Sequence, residues 1–137
     1  MRKKTTRIIA LMLVVVLAFS TSAAAASTRA SSHLVMYSAY AVPDGNGNFN
    51  IKFYVTGKGI MTMIGAKEIE VFTVGGQSVE TFSYHDEPSM MGYSVGSHAW
   101  SVLFDEAESG QTYYAVVTFY AMNSSGSDTK TYTTSTF

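Results

Sequence analysis

Lys67-Glu-Ile-Glu-Val-Phe-Thr-Val74, then Gly75-Gly-Gln77, then Ser78-Val-Glu-Thr-Phe-Ser-Tyr84 is the stretch that sets the fold class. Ile69 and Val71 alternate with Glu68 and Glu70, a period of two that sends apolar and charged side chains to opposite faces of a strand. The Gly-Gly pair suits a tight reversal, and a second β-branched and aromatic run follows it. The two runs read as a β-hairpin, which His85-Asp-Glu-Pro88 ends.

The same alternation extends outward in both directions. Toward the N-terminus, residues 34–42 and 49–56 read as strands joined by the turn-rich Pro43-Asp-Gly-Asn-Gly-Asn48. Gly57-Lys-Gly59 reads as a break, and residues 60–64 as either a short strand or an ordered loop. Toward the C-terminus, residues 89–97 read as irregular, 99–104 as a strand and 105–111 as an acidic loop. Residues 112–122 form a long β-branched and aromatic strand, 123–126 a turn, and 128–136 a final threonine-rich strand. About seven strands separated by turns, with no helical periodicity, internal repeat or second domain, predict an all-β, antiparallel β-sandwich or small barrel.

The N-terminus carries a different signal. Arg2, Lys3, Lys4 and Arg7 precede an apolar run over residues 8–19, then Ser20, Thr21, Ser22 and the alanines 23–26. A basic region, a short apolar region and small residues before a cut are the parts of a secretory signal peptide. The apolar run falls well short of the roughly 20 residues that a membrane span needs. The expected organisation is a signal peptide over 1–26, cleaved near Ala25 or Ala26, a flexible lead-in over 27–33, and the β-sandwich domain over 34–137. With no cysteine to carry lipid and no apolar C-terminal tail, the expected destination is secretion, without a membrane anchor after cleavage.

Removing the leader changes the charge. The precursor has a net charge of −1, but the mature part keeps five cations, Arg29, Lys52, Lys58, Lys67 and Lys130, against all ten carboxylates, a net of −5. Such a surface repels phosphate backbones, which argues against nucleic-acid binding. Without disulfides, stability must come from burial. Seven Phe, nine Tyr and Trp100 in the mature part supply large apolar areas for a core.

Residues 110–126 resemble the end of a fibronectin type III or related immunoglobulin-like domain: Gly110-Gln-Thr-Tyr113-Tyr-Ala115-Val-Val117-Thr-Phe119-Tyr-Ala121-Met-Asn123-Ser-Ser-Gly126. The resemblance implies that Tyr113 is a corner tyrosine, its ring in the core and its hydroxyl bonded back to the loop backbone. It also implies that Ala115, Val117, Phe119 and Ala121 face inward. The strand is about two residues longer than the usual spacing, and the family's second-strand tryptophan is absent, with Phe53 or Tyr54 in its place. This sandwich hosts many roles, so the resemblance implies an architecture and no activity.

If Tyr113 faces inward, Tyr114, Thr118 and Tyr120 face outward. Together with Tyr132 on the neighbouring strand they form a Tyr-Thr face suited to stacking sugars or docking a peptide strand; ordinary cross-strand pairing is the competing reading. Asp44, Asn46 and Asn48 place oxygen ligands two apart, as calcium loops do, but the EF-hand's glycine and glutamate positions hold Phe49 and Val55, so a Gly/Asn hairpin turn is the stronger reading. His85-Asp86-Glu87 lacks the paired spacing of a zinc site. Asp105, Glu106 and Glu108 could serve acid-base chemistry, but three acids in a loop usually form only a charged loop. Met61, Met63, Met90 and Met91 could hold Cu(I), though methionine more often fills a core. No cofactor is implied. The reading that results is a non-enzymatic, surface-binding domain whose ligand is a protein or carbohydrate at the cell surface. A bacteriocin-like or toxin-like effector is the alternative, and a small hydrolase on Asp105, Glu106 and Glu108 a weaker third.

Overall fold

Across residues 32–137, the part that the computed structural model describes, every regular element is a β-strand apart from one 3₁₀ turn. The expected signal peptide, and the lead-in up to residue 31, lie outside the described residues. The elements are β1 (Leu34–Pro43), β2 (Phe49–Thr73), β3 (Ser78–Ser83), a 3₁₀ turn (Pro88–Met90), β4 (Met91–Phe104), β5 (Tyr113–Asn123) and β6 (Gly126–Thr133). All pairings are antiparallel, within one six-stranded sheet.

Two expectations fail, and for related reasons. Gly57-Lys-Gly59 does not break a strand, because β2 runs through it for 25 residues. Residues 89–97 are not irregular beyond the 3₁₀ turn, because Met91–Ser97 open β4. The two stretches are opposite each other. The register steps from Thr56↔Ser97 to Met61↔Val95, so on the β4 side residues 57–60 stand opposite Gly96 alone, while Gly57 still pairs with Leu34 of β1. Extra residues on one strand bend it and sharpen its twist. Gly59 takes φ of 79° there, a conformation that glycine adopts without steric cost. The glycines therefore supply a bend within one strand, and the count falls from about seven strands to six.

The bend organises the sheet around β2. Along one edge, β2 pairs with β1 through its first half and with β5 through its second. Along the other, it pairs with β4 and then β3. Beyond β5 lies β6. The first half of the sheet is thus β1, the start of β2 and the end of β4; the second is β3, the end of β2, β5 and β6.

The sheet curls so that the inner faces of the two halves meet. The ring of Phe53 lies 5.9 Å from that of Phe119, Tyr37 lies 5.4 Å from Phe119, and Phe104 lies 5.0 Å from Tyr113. Ile51, Val55 and Val102 from the first half, and Ile69, Val71, Ala115 and Val117 from the second, complete the buried cluster. Each large side chain so buried contributes about 1.5–3 kcal/mol relative to exposure, which is how a domain without cysteine can hold together. Met61 and Met90 are fully buried in the same cluster.

The β1–β6 side of the curl is tied. His33, at the end of the expected lead-in, is buried. Its backbone N–H donates to Asp128 Oδ2 at 2.6 Å, and its Nδ1 lies 3.2 Å from the same oxygen. Its Nε2 lies 3.1 Å from Asn123 Oδ1 and 3.3 Å from Ser125 Oγ, both in the β5–β6 hairpin.

Candidate functional site

The alternation along β5 sets its two faces. Tyr113, Ala115, Val117, Phe119 and Ala121 are buried, while Tyr114, Val116, Thr118 and Tyr120 are half-buried on the outer side. The Tyr113 hydroxyl accepts a hydrogen bond from the Glu108 N–H at 2.8 Å. The tyrosine is also held by paired backbone bonds between its strand and Phe137.

Tyr114, Thr118 and Tyr120 therefore share one face, but Tyr132 is not on it. Tyr132 pairs with Val117, and residues directly opposite in an antiparallel pair point to the same face. Tyr132 accordingly turns inward, with its ring edge-on to Tyr37 at 6.5 Å. β6 contributes Thr129, Thr131 and Thr133 to the outer face instead, opposite Tyr120, Thr118 and Val116. The outer tyrosines already have partners. Tyr114 stacks on Phe72 at 5.3 Å with the rings 17° from parallel, and Lys67 Nζ sits 4.0 Å above the ring of Tyr120. Both are cross-strand contacts of ordinary strength. Thr118 lines a shallow hollow of about 290 Å³ with Lys67, Glu68, Ser83, Tyr84 and His85.

The exposed aromatic surface lies on the other half. Tyr40 is 51% exposed, Tyr54 38%, Trp100 45% and Leu103 46%. The register places Tyr40 beside Lys52 and Lys52 beside Ser101, with Tyr54 beside Ala99. Tyr40, Tyr54 and Trp100 border a groove of about 340 Å³ together with Lys52, Ala99 and Ser101. Tyr40, Lys52 and Tyr54 lie on the outer face of the first half, with Lys52 next to both tyrosines, while Trp100 pairs with buried Phe53 and so belongs to the inner side of β4. The Tyr54 hydroxyl donates to Met36 Sδ at 2.9 Å, which fixes that ring along the groove. Sequence reasoning missed this surface. Its signal was present in the alternation Lys52, Tyr54 against Ile51, Phe53, Val55, read as a strand but not followed to its outer side chains.

The other candidates are dispersed. Asp44 Oδ1 accepts from the backbone N–H groups of Asn46 at 2.8 Å and Asn48 at 3.1 Å, and Gly45 and Gly47 take positive φ. That carboxylate is turned onto its own loop, where it holds the β1–β2 turn in shape. His85 packs on Tyr84 at 4.1 Å. Among the described residues no group of three His, Cys, Asp or Glu is placed to hold a metal ion. Glu106 and Glu108 line a hollow of about 310 Å³ near Ser78 and Tyr113. The charges of Glu106 and Asp105 reach Glu80, whose carboxyl is pushed above its ordinary value, first by burial and then by those two acids. Ser125, His33 and Asp128 stand in the order of a nucleophile, base and orienting acid. The Ser125 hydroxyl, however, donates to Asn123 Oδ1 at 2.7 Å, so the group acts as a tie between elements.

Comparison of the chain with protein-family models, with curated proteins and with solved structures finds no match.

Proposed function

We propose that the protein is an exported, non-enzymatic binding domain that acts through the aromatic outer face of the β1, β2 and β4 half. The observation that carries the reading is the groove of Tyr40, Lys52 and Tyr54, where two exposed rings flank a cation on a face otherwise free of charge. Tyr and Trp combine large rigid apolar area with a polar tip, which is why they concentrate at recognition surfaces. A sugar face or an extended peptide at the cell surface suits a shallow groove of this shape. The leader-like N-terminus supports export of the domain. The buried Tyr113 with its hydroxyl on Glu108, and the two facing halves of the curled sheet, support a sandwich of the fibronectin type III or immunoglobulin-like kind.

The test is binding of purified residues 27–137 to glycan, cell-wall and peptide panels. Tyr40→Ala with Tyr54→Ala should weaken any binding found by about tenfold or more. Tyr114→Ala with Tyr120→Ala should leave it within about twofold. Binding that survives the first pair and is lost with the second returns the site to the β5 face. No binding on any panel overturns the reading.

A further inference from the structure

The groove on the first half lies on a face of the sheet and not along an edge. Two register rows cross it, Ser38–Tyr54–Ala99 and Tyr40–Lys52–Ser101, each with its middle residue on β2. β2 pairs with β1 on one side and β4 on the other, so its main chain is taken on both sides. An extended peptide that adds to a sheet gains affinity by pairing with free backbone at an edge, and this face has none to give. It presents side chains instead: two rings, two serine hydroxyls and one ammonium. The Tyr54 hydroxyl is spent on Met36 Sδ, which holds the ring and leaves its surface open to solvent. The charge is equally selective. The segments that build this face, residues 34–43, 49–56 and 97–104, contain no Asp or Glu, and Lys52 is their one Lys or Arg. Lys52 is exposed, and among the described residues it has no ion-pair partner.

We propose that the groove takes an acidic saccharide of the uronic-acid class, its sugar rings on Tyr40 and Tyr54 and its carboxylate on Lys52; this rests on the groove being the binding site. Tyr40 and Tyr54 are diagonal neighbours across β1 and β2, about 7–8 Å apart, so one short oligosaccharide reaches both rings. Lys52 stands opposite Tyr40 and two residues from Tyr54, within reach of an acid group on either sugar. Ser38 and Ser101 supply neutral hydroxyls on the same two rows for the remaining sugar hydroxyls. The single ammonium sets the charge of the ligand. A uronic carboxylate brings one negative charge, which one lysine matches. A phosphomonoester brings about −1.5 to −2, and its excess would face a domain whose net is −5. A carboxylate on Lys52 meets its cation at contact distance, where Coulomb attraction outweighs the repulsion from acids that lie farther off and are screened by salt.

Calorimetric titration of the purified protein with galacturonate, mannuronate and glucuronate oligosaccharides, and with the methyl ester of each, tests the proposal. The ester keeps the sugar rings and removes the charge. At least one acid form should bind with a Kd at least about tenfold below that of its ester, and the preference should shrink as salt rises from about 0.05 M to about 0.5 M. Lys52→Gln should raise the Kd of the acid form at least about tenfold and leave that of the ester within about twofold. As an exposed position, it should melt within a few degrees of the parent. Tyr40→Ala with Tyr54→Ala should weaken acid and ester alike. A glutamate oligopeptide, which carries the carboxylates without the sugar, should bind at least about tenfold more weakly than the acid form. Acid and ester bound equally, indifference to Lys52→Gln, or a glutamate oligopeptide bound as tightly as the sugar would each overturn the acidic-sugar proposal. So would failure of every uronic-acid probe while a neutral glycan or a peptide binds through Tyr40 and Tyr54, a result that leaves the groove as the binding site. Uronic-acid binding that survives the loss of both tyrosines would overturn the groove itself along with its ligand.

Discussion

The two halves of the curled sheet share one long strand and one core, yet their outer faces are made differently. On the β3, β5 and β6 half the outward side chains satisfy one another. Tyr114 stacks on Phe72, Lys67 covers Tyr120, and Glu70 accepts hydrogen bonds from Ser78 Oγ at 3.0 Å and Thr81 Oγ1 at 3.4 Å. On the β1 and β4 half the outward Tyr40, Tyr54 and Leu103 are open to solvent, and Lys52 is the cation among them. An aromatic row is therefore not a binding face merely because it points outward. What separates the halves is whether neighbouring strands supply cross-strand partners. The edge strands follow part of the same division: β3 and β6 carry inward-turned charge at Glu80, Asp128 and Lys130, a feature that blocks further strand pairing, and β4 carries none.

The strongest way to break the arrangement is at Gly65, where β2 lies between Met91 of β4 and Tyr120 of β5. A Cβ there would run into the backbone carbonyl oxygen of Met90 and lie 2.8 Å from Met91 Cα. Both obstacles are main chain, so relief requires β4 to move off β2. Gly65→Ala is expected to cost more than about 4 kcal/mol, read as a large fall in Tm or loss of soluble protein. Gly75→Ala, with only Thr73 Oγ1 nearby at 3.7 Å, is the matched control and should be close to neutral. If both melt alike, the junction of the halves is looser than described.

The next effect concerns the tie that closes the curl. His33→Ala removes the side-chain contacts to Asp128, Asn123 and Ser125 while leaving the backbone bond to Asp128 in place. Loss of partly buried polar partners costs about 1–3 kcal/mol. Amide exchange should rise first along β1 and β6, with β2 least affected. Uniform exchange across the sheet would show that the tie adds stability without joining the halves.

A smaller effect tests the turn at the far end of the first half. Asp44→Ala removes two bonds to loop N–H groups and should cost about 1 kcal/mol, a fall of roughly 4–8 °C in a domain of this size. Millimolar calcium should leave the Tm of the parent unchanged. A clear rise with calcium that Asp44→Ala abolishes would make the loop a cation site.

Most of the strand positions could be read from alternation, because burial on one face forces a period of two. The inward set Tyr113, Ala115, Val117, Phe119 and Ala121 is an example. Gly57-Lys-Gly59 reads as a break because glycine carries two meanings in a strand, interruption or bulge, and only the facing strand decides between them. The same missing knowledge of partners hid the state of the Tyr114 and Tyr120 rings. It also put Tyr132 on the wrong face, since the side it takes depends on its register with Val117. Local pattern gives in against out, while register gives neighbour against neighbour, and the candidate site depends on the second.

The smallest effect, at Glu80, tests what the guarded edge costs. Glu80 faces the inner side of β3, and its Oε2 is buried without a hydrogen-bond partner. Burial, and then the negative charges of Glu106 and Asp105, hold its carboxyl above the ordinary value of 4.5. The folded state thus takes up a proton at a pH where the unfolded chain has already lost it. Ionisation of Glu80 consequently destabilises the fold as pH rises through the raised value, and the penalty is absent well below 4.5. Glu80→Gln, neutral throughout, should be the more stable protein at pH 7 by less than about 1 kcal/mol, since the group is only partly buried and solvent screens it. The difference should close as pH falls below 4. The cost of the charge would then be matched by its use as an edge guard. Glu80→Gln should also show a greater tendency to associate through β3 at high concentration, measured by light scattering at pH 7. A variant more stable at pH 7 yet no more prone to associate would leave β3 protected by something other than its charge.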